Sequence, residues 1–410
     1  MEKKKSVILI LALLVFVFFA SLVISKNLDR TGGGSRRAGN AGKITDHTFD
    51  FKLIKEANKD AKKNYLISPY SIKIALNMLK DGANNESYKQ IDEVLKNNKF
   101  NIVKDDAVSI ANGLFVRNAF RKTVNKDYIN NLKKNYKADV VFDKFESPEI
   151  INNWVKEKTK DMIPYLLDDI DSNFVLALVN ALAIDVKWEQ AFSCKNTMEE
   201  NFHKEDGSEV KVAMMKDYNS IGKYFKTDLG EGIILPYQGS KNKGLELIAI
   251  LPNDSISEYV NKLDDKELNK IDDYKVKGDK EIHLSFPKFT YDYEWSQFMS
   301  SLKDMGIKDV FDSKKADLSK MLKQSGEKFY VSKAIHKTFI ELDEKGTKAA
   351  AATGFVVSKN AVSEKEVINI KFNKPFVYLI RDKGTKEILF FGALYEPNKW
   401  EGNDCNEDEK

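Results

Sequence analysis

The spacing of apolar residues divides the chain into a helix-rich first part and a strand-rich later part. Helical spacing occurs in five segments, residues 49–58, 72–79, 88–95, 126–134 and 147–162. Runs typical of strands follow at residues 177–187, 232–236, 246–251, 281–289, 328–342 and 367–394. Because helices and strands are segregated and do not alternate, the pattern predicts an α+β fold.

One segment near residue 350 does not commit to a single secondary structure. Read as a strand, it presents small or apolar side chains on one face: Thr347, Ala349, Ala351, Thr353, Phe355 and Val357. Alanine is also the strongest helix former, and the run ends in polar residues 358–360 that suit an exposed loop. Composition alone favours an ordinary Ala-rich helical turn. A segment that changes between loop and strand is the alternative.

The N-terminus carries an export signal. Lys3, Lys4 and Lys5 precede an apolar run over residues 6–25, which is long enough to cross a bilayer as a helix. The lysines favour an N-terminus that stays inside and a remainder that is exported. Two interpretations stay open: a retained anchor, which the length of the run favours, and a signal peptide cleaved after Ser25. Either predicts an extracellular protein, secreted or anchored to the outer face of the cell membrane.

Composition divides the chain into four regions. Residues 1–25 are the signal peptide or anchor, 26–45 a flexible Gly-rich linker, 46–399 one domain, and 400–410 an acidic tail that we expect to be disordered. An apolar content of 42% supports a large core. The 66 basic and 62 acidic residues nearly balance, which argues against nucleic-acid binding. Contact with a membrane is expected only through the N-terminal segment, if that segment is retained.

No enzyme or metal motif is present in the sequence. It lacks a Gly-x-Ser-x-Gly elbow, a His-Glu-x-x-His helix, a phosphate-binding glycine loop and a Cys-x-x-Cys pair. The four histidines, His47, His203, His283 and His336, do not have metal-ligand spacing. We therefore expect no catalytic residues, no metal and no cofactor.

The chain has only two cysteines, Cys194 and Cys405. Two cysteines do not make a disulfide framework, and Cys405 lies in the acidic tail. We expect both to stay unpaired, and a bond between them is the alternative.

Several short motifs occur in a characteristic order within residues 46–399. They are Asn-Tyr-Leu-Ile-Ser-Pro-Tyr-Ser-Ile at 64–72, Ala-Leu-Val-Asn-Ala at 177–181, Lys-Trp-Glu-Gln-Ala-Phe at 187–192, Val-Ala-Met-Met-Lys at 212–216, Leu-Ser-Phe-Pro-Lys-Phe at 284–289, Ala-Ile-His-Lys at 334–337, Glu-Leu-Asp-Glu-Lys-Gly-Thr at 341–347 before Ala349–Ala352, Phe-Asn-Lys-Pro-Phe at 372–376 and Leu-Phe-Phe-Gly at 389–392. This ordered set resembles the serpin family, inhibitors that trap serine proteases, and suggests an exported, bacterial-type member. One departure is Ala213, where the family usually has proline.

The resemblance implies a serpin domain over residues 46–399, with three β-sheets, eight to nine helices and an exposed reactive-centre loop at about residues 346–363. A protease attacks the loop and forms an acyl intermediate. The segment from Thr347 onward then inserts into the main sheet and deforms the attached enzyme. The expected partner is therefore a target endopeptidase, of the serine class or also of the cysteine class, held in a covalent complex by a monomeric inhibitor that is not itself an enzyme.

The resemblance also implies roles for particular residues. Those at the hinge of the loop are Glu344, Gly346, Thr347, Ala349, Ala350, Ala351 and Ala352. Those of the shutter, which controls the separation of two strands beneath the sheet opening, are Ser68, Ser71, Asn180 and His336. Without the resemblance, His336 would be interpreted as a buried structural histidine whose hydrogen bonds are satisfied. Those of the breach, where the loop first enters, are Trp188, Lys288 and Glu344.

Counting the usual family length from Glu344 puts the reactive bond at Asn360–Ala361. A loop shorter by one residue would use Lys359–Asn360, which suits a trypsin-like pocket. The competing function is that of a non-inhibitory serpin, a carrier, chaperone or surface-binding module. Such members tend to lose the small hinge residues, which this sequence retains, so the sequence favours the inhibitor.

Overall fold

The computed structural model describes residues 46–59, 62–96, 103, 107–239, 244–323, 329–347 and 366–402. Within these ranges, none of the helices combines the length and the apolar character needed to cross a bilayer. The apolar run at 6–25 and the linker up to residue 45 lie outside them, as do residues 348–365 and the acidic tail from residue 403.

Eight α-helices occur in the described ranges. They are α1 Thr48–Asn58, α2 Pro69–Gly82, α3 Asn85–Leu95, α4 Lys126–Tyr136, α5 Glu149–Lys158, α6 Ile256–Lys262, α7 Asp265–Asp273 and α8 Phe298–Met305. The start of α2 matters most for the site. Pro69 occupies its first turn, and the Ser68 hydroxyl caps the helix by accepting from the Ser71 amide, which satisfies an amide without a partner inside the helix.

Seventeen β-strands occur in the same ranges. They are β1 Tyr65–Ile67, β2 Val108–Arg117, β3 Asp139–Asp143, β4 Leu176–Ile184, β5 Val186–Lys187, β6 Thr197–His203, β7 Glu209–Asp217, β8 Lys223–Lys226, β9 Gly230–Pro236, β10 Leu245–Pro252, β11 Lys280–Pro287, β12 Phe289–Glu294, β13 Lys337–Leu342, β14 Gly346–Thr347, β15 Glu366–Lys371, β16 Phe376–Asp382 and β17 Ile388–Leu394.

The strands form three sheets. A six-stranded sheet has the order β1-β17-β16-β10-β9-β8, and a four-stranded sheet has the order β15-β11-β7-β6. Hydrogen bonding divides the remaining strands into β3-β2-β4 and β5-β14-β13-β12. Only Asp185 separates β4 from β5 along the chain, so we treat these two groups as the halves of one main sheet.

The core lies between the main sheet and the six-stranded sheet. Every residue of β10, β16 and β17 is buried, as expected for strands covered on both faces. Tyr291 on β12 reaches Tyr378 on β16, with their hydroxyls 2.6 Å apart. The N-terminus of α2 joins the two sheets: Ser68 donates to the Leu389 carbonyl of β17 at 2.7 Å, and Ser71 donates to Asn180 on β4.

A buried ion triad holds α1 and α2 to the turn before β17. The Lys73 ammonium is 3.1 Å from the Asp50 carboxylate and 3.0 Å from that of Glu387, and all three side chains are almost fully buried. Burial raises the pKa of Asp50 to about 6, against the lowering effect of Lys73. Removing one member would leave a buried charge without its partner, which is costly.

Most of the predicted elements are found, with shifted boundaries. The five predicted helices are α1 to α5, although the predicted helix at 147–162 is limited to Glu149–Lys158. The predicted strand at 281–289 is two strands that divide at Lys288, and the run at 367–394 is three strands. Apolar spacing missed α6 to α8 and the strands β1, β2, β3, β6, β7 and β8.

The prediction of a strand over 328–342 is wrong for its first half. Only Lys337–Leu342 is a strand, and residues 329–336 have no regular structure. The reason is pairing: Lys337 lies opposite Glu294, the last residue of β12, and none of the described strands pairs with residues 329–336. A strand depends on such a partner for its backbone hydrogen bonds.

Candidate functional site at the opening of the main sheet

The two residues of β14 lie between the halves of the main sheet. Gly346 and Thr347 pair with Lys187 and Val186 of β5, and Thr347 also pairs with Leu342 of β13. The first two described residues after the turn at 343–345 are therefore already paired as a strand within the main sheet.

Gly346 is needed for the close approach of β14 to β5. A Cβ atom at this position would lie 2.2 Å from the Val186 carbonyl oxygen and 2.6 Å from the Lys187 Cα. Both are backbone atoms, which cannot rotate away as a flexible side chain would. Any residue other than glycine therefore has to push the two strands apart.

Trp188 anchors the turn that leads into β14. Its indole N–H donates to the Asp343 carbonyl at 2.9 Å, and its amide donates to the Lys345 carbonyl at 2.9 Å. The indole stacks on Tyr237, with ring centroids 4.4 Å apart. The Tyr237 hydroxyl is in turn 2.6 Å from the Thr347 hydroxyl. The aromatic pair thus contacts the chain on both sides of Gly346.

Glu344 is held mainly by a buried hydrogen bond. The Thr197 hydroxyl donates to Glu344 Oε1 at 2.8 Å, and the Phe192 amide donates to the Glu344 carbonyl at 2.9 Å. Lys288 Nζ is 3.5 Å from Glu344 Oε2, with the lysine side chain 40% exposed. The structure therefore brings Trp188, Lys288 and Glu344 together, the three residues that the family resemblance assigns to the breach.

The turn between β13 and β14 is closed by Asp343. Its carboxylate accepts from the amides of Lys345 at 2.8 Å and Gly346 at 3.0 Å, and its own amide donates to the Gly346 carbonyl. Burial raises the pKa of Asp343, while the two amide bonds oppose the shift. An aspartate here forms the turn with its own side chain, as aspartates commonly do.

Below β14 the two halves of the main sheet are bridged by side chains. Across the described strands, no ladder joins β4 to β13. A polar chain occupies this level. His336 Nε2 accepts from the Ser68 amide at 3.1 Å, Ser71 donates to Asn180 Oδ1, and Asn180 Nδ2 donates to Asn112 Oδ1 at 2.6 Å.

His336 is neutral in this chain of bonds. Complete burial lowers the pKa of His336 to about 3. Since Nε2 accepts from the Ser68 amide, protonation at Nε2 would replace an attraction by a repulsion between two donors. The four residues that the sequence grouped as the shutter thus lie in two directly bonded pairs, His336 with Ser68 and Ser71 with Asn180, linked by the Ser68–Ser71 cap.

Sequence reasoning missed three residues that complete these clusters. Asn112 lies opposite Asn180 in the β2–β4 ladder and donates to the Tyr136 carbonyl at 2.8 Å. The signal that could have identified Asn112 was its polar side chain inside the otherwise apolar run of β2. Thr197 and Tyr237 gave no signal, because nothing in their local sequence shows that they meet Glu344 and Thr347.

Several predicted site residues lie outside the described residues. These are the hinge positions Ala349, Ala350, Ala351 and Ala352, and the reactive-bond positions Lys359, Asn360 and Ala361. Within the described ranges, no cluster of three or more histidine, cysteine or acidic side chains is arranged to hold a metal.

The expectation that Cys194 stays unpaired is wrong. Cys194 is disulfide-bonded. It begins the 3₁₀ turn Cys194–Asn196, which lies between Phe192 and Thr197, the two residues that bond Glu344. Sequence reasoning failed here because composition reports neither the distance between two cysteines nor their orientation.

A protein-family model described as Serpin (serine protease inhibitor) matches residues 45–397. The chain belongs to the serpin family. Leukocyte elastase inhibitor of Xenopus tropicalis is 30% identical to this serpin, over 85% of this chain and 97% of that protein. The α+β serpin fold predicted from the sequence is therefore confirmed.

Solved serpin structures are similar to this one over most of its length. The thermophilic serpin tengpin in its native state is 30% identical, with a TM-score of 0.74, over 86% of this chain and 94% of that chain. Thyroxine-binding globulin in complex with thyroxine is 26% identical, with a TM-score of 0.72, over 86% of this chain and 98% of that chain.

Gly346→Ala is expected to lower the free energy of unfolding of this serpin by about 1–3 kcal/mol, the usual cost of overpacking. The added methyl group meets the β5 backbone and displaces β14. Chemical denaturation measures the effect. Gly384→Ala is the matched control, because a Cβ there meets its nearest atom, an Asp382 oxygen, at 3.4 Å. Equal effects of the two substitutions would contradict a special role for Gly346.

His336 is expected to make stability fall with acidification. An unfolded histidine titrates near about 6.5, whereas folded His336 has a pKa of about 3. Between these pH values only the unfolded state takes the proton. The contribution is therefore complete above pH 6.5 and is lost toward pH 3, by at most about 1.4 kcal/mol per pH unit.

Urea denaturation at several pH values, compared between the wild type and His336→Gln, isolates this contribution. The glutamine carbonyl can still accept from the Ser68 amide but does not titrate. The variant should lose less stability on acidification, while Asp50 affects both proteins equally. Parallel pH profiles would show that His336 does not stay neutral.

Proposed function

We propose that this serpin is a suicide-substrate inhibitor of serine endopeptidases, and also of cysteine endopeptidases if their nucleophile reaches the loop. The observation that carries the proposal is the position of β14. Two hinge residues already occupy a slot between β5 and β13, and no described ladder closes the level below them. The segment that would fill this level of the sheet therefore follows directly after β14 in the chain.

The proposed reaction begins as ordinary proteolysis. The protease nucleophile attacks the carbonyl of Asn360, the Asn360–Ala361 bond breaks, and an acyl-enzyme ester or thioester forms. Cleavage at Lys359–Asn360 is the alternative. Either cut separates β14 from β15, which belongs to a different sheet. The freed segment, still carrying the enzyme, can then extend β14 toward the opposite end of the main sheet before water completes deacylation.

The driving force is pairing and burial. The new strand would form hydrogen bonds with β4 on one side and β13 on the other. Thr347 is buried, so alternation places Ala349, Ala351 and Thr353 on the same face. Phe355 and Val357 follow on that face, and each contributes about 1.5–3 kcal/mol if fully buried.

The alternative is a non-inhibitory serpin that acts as a carrier, chaperone or surface-binding module. Thyroxine-binding globulin, described as a complex with thyroxine, is a relative by structure. Leukocyte elastase inhibitor is a relative by sequence and is named for inhibition. The small residues of this hinge support the inhibitor, because they let a strand enter without burying a charge.

The matching family model is described by protease inhibition and not by catalysis, and we propose an inhibitory, non-enzymatic role for this chain. We propose an extracellular location, secreted or anchored through residues 6–25, and a monomer that forms a one-to-one covalent complex with its target. No cofactor or metal is part of the proposed mechanism.

Incubation with a panel of serine and cysteine proteases, followed by denaturing gels, tests the trap. Wild type should give a band that survives denaturation at the summed mass. Ala351→Arg should give mainly cleaved serpin, because the guanidinium has to enter the buried face and slows insertion. Ala352→Arg, on the opposite face, should retain a larger share of the complex. If Ala351→Arg forms as much covalent complex as the wild type, the insertion mechanism is contradicted.

Cleavage of the loop is expected to raise the melting temperature instead of lowering it. A nick in an ordinary surface loop removes a constraint and leaves stability unchanged or lower, whereas this one should add a strand. Calorimetry of intact and nicked protein measures the difference. Replacing both Ala349 and Ala351 by aspartate is the control and should abolish the gain. A nicked wild type that melts no higher than the intact protein would favour the binding module.

A further inference from the structure

Residues 192–197, which we call the latch segment, hold Glu344 from two sides. The Phe192 amide donates to the Glu344 carbonyl at 2.9 Å, and the Thr197 hydroxyl donates to Glu344 Oε1 at 2.8 Å. The turn Cys194–Asn196 lies between these contacts, so Cys194 is only two residues from Phe192 and three from Thr197. A constraint on Cys194 therefore acts on both contacts to the hinge.

Cys194 is disulfide-bonded, and the only other cysteine of the chain is Cys405. The described part of the C-terminus is close enough for this pairing. Trp400 donates to the Lys211 carbonyl of β7 at 2.8 Å, and Thr197 lies opposite Met215 on the same strand. Lys211 and Met215 are about 14 Å apart along a strand. The five residues from Trp400 to Cys405 can span about 17 Å.

We propose that a Cys194–Cys405 disulfide ties the latch segment to the C-terminus and makes the docking of the hinge sensitive to reductants. A dithiol reductant supplies the chemistry. Its thiolate attacks one sulfur to form a mixed disulfide, and its second thiol then closes the oxidised ring. Two electrons and two protons pass to Cys194 and Cys405, which become thiols. Nothing in this step requires a protease.

Reduction should loosen the latch segment more than the rest of the domain. With the disulfide intact, movement of the latch segment has to carry the C-terminus with it. Without the disulfide, the segment is held only by its own hydrogen bonds and packing, and Glu344 is released more often. The consequence for protease trapping rests on the proposed function, but the consequence for hinge docking does not.

Alkylation of the purified, non-reduced protein followed by mass analysis tests the bond itself. We expect neither cysteine to be alkylated before reduction, and both to be alkylated after treatment with dithiothreitol. A peptide that joins the two cysteines should be recovered from the non-reduced digest. Alkylation of both cysteines without reductant, or a disulfide that links two copies, would overturn the proposal.

Hydrogen–deuterium exchange tests the effect on the hinge. In the reduced wild type and in untreated Cys405→Ser, the amides of Trp188, Phe192 and Gly346 should exchange at least about threefold faster than in the oxidised wild type. The amides of β16, which is an inner strand of the separate six-stranded sheet, should not change. Reductant should have no further effect on Cys405→Ser, which controls for unspecific action. Uniform acceleration through the domain, or no acceleration at the hinge, would overturn the proposal.

Thr197→Ala separates the latch from a general stabilising effect of the disulfide. Suppose that the disulfide acts through the contact between Thr197 and Glu344. The double variant of Thr197→Ala and Cys405→Ser should then accelerate exchange at the hinge by a smaller factor than the product of the two single-variant factors. Fully multiplicative effects would mean that the disulfide acts elsewhere. Absence of covalent protease complexes in every variant would count against the proposed function and leave this result intact.

Discussion

The structure depends on the pairing of two residues, Gly346 and Thr347, between β5 and β13. Since the described part of the strand between these halves is two residues long, other contacts have to set the separation of the halves. Three contacts maintain this arrangement at the top of the sheet: the close backbone approach at Gly346, the Trp188–Tyr237 stack against the hinge, and the bond between Thr197 and Glu344.

The level below β14 is filled by polar side chains that satisfy one another. Ser68, Ser71, Asn180 and Asn112 form a continuous path from the cap of α2 to β2, and His336 joins it from the other half of the sheet. Each such bond contributes only about 0.5–1.5 kcal/mol net. A complete inserted strand would form many backbone bonds and bury aromatic surface. This difference in energy is what the proposed insertion would draw on.

The expected free energies of the contacts to Glu344 indicate which of them restrains the hinge. The Lys288–Glu344 pair is 3.5 Å apart with a partly exposed lysine, and pairs of this kind contribute about 0–1 kcal/mol. The hydrogen bond from Thr197 reaches the same carboxylate inside the domain, and bonds to charged groups contribute about 1.5–3 kcal/mol. Thr197 and the segment that carries it are therefore the main restraint on Glu344, and Lys288 adds little.

The sequence by itself determined the fold class and the family, and its motifs contain several of the residues that the structure brings together. These depend on local properties: apolar spacing predicted α1 to α5, and ordered short motifs located Ser68, Asn180, Trp188 and His336. Apolar spacing did not predict where β13 begins, because a strand begins where a partner strand lies beside it. Motifs also missed Asn112, Thr197 and Tyr237, and composition did not reveal the bond at Cys194. Each of these depends on which distant residues are brought into contact, and only the tertiary structure decides that.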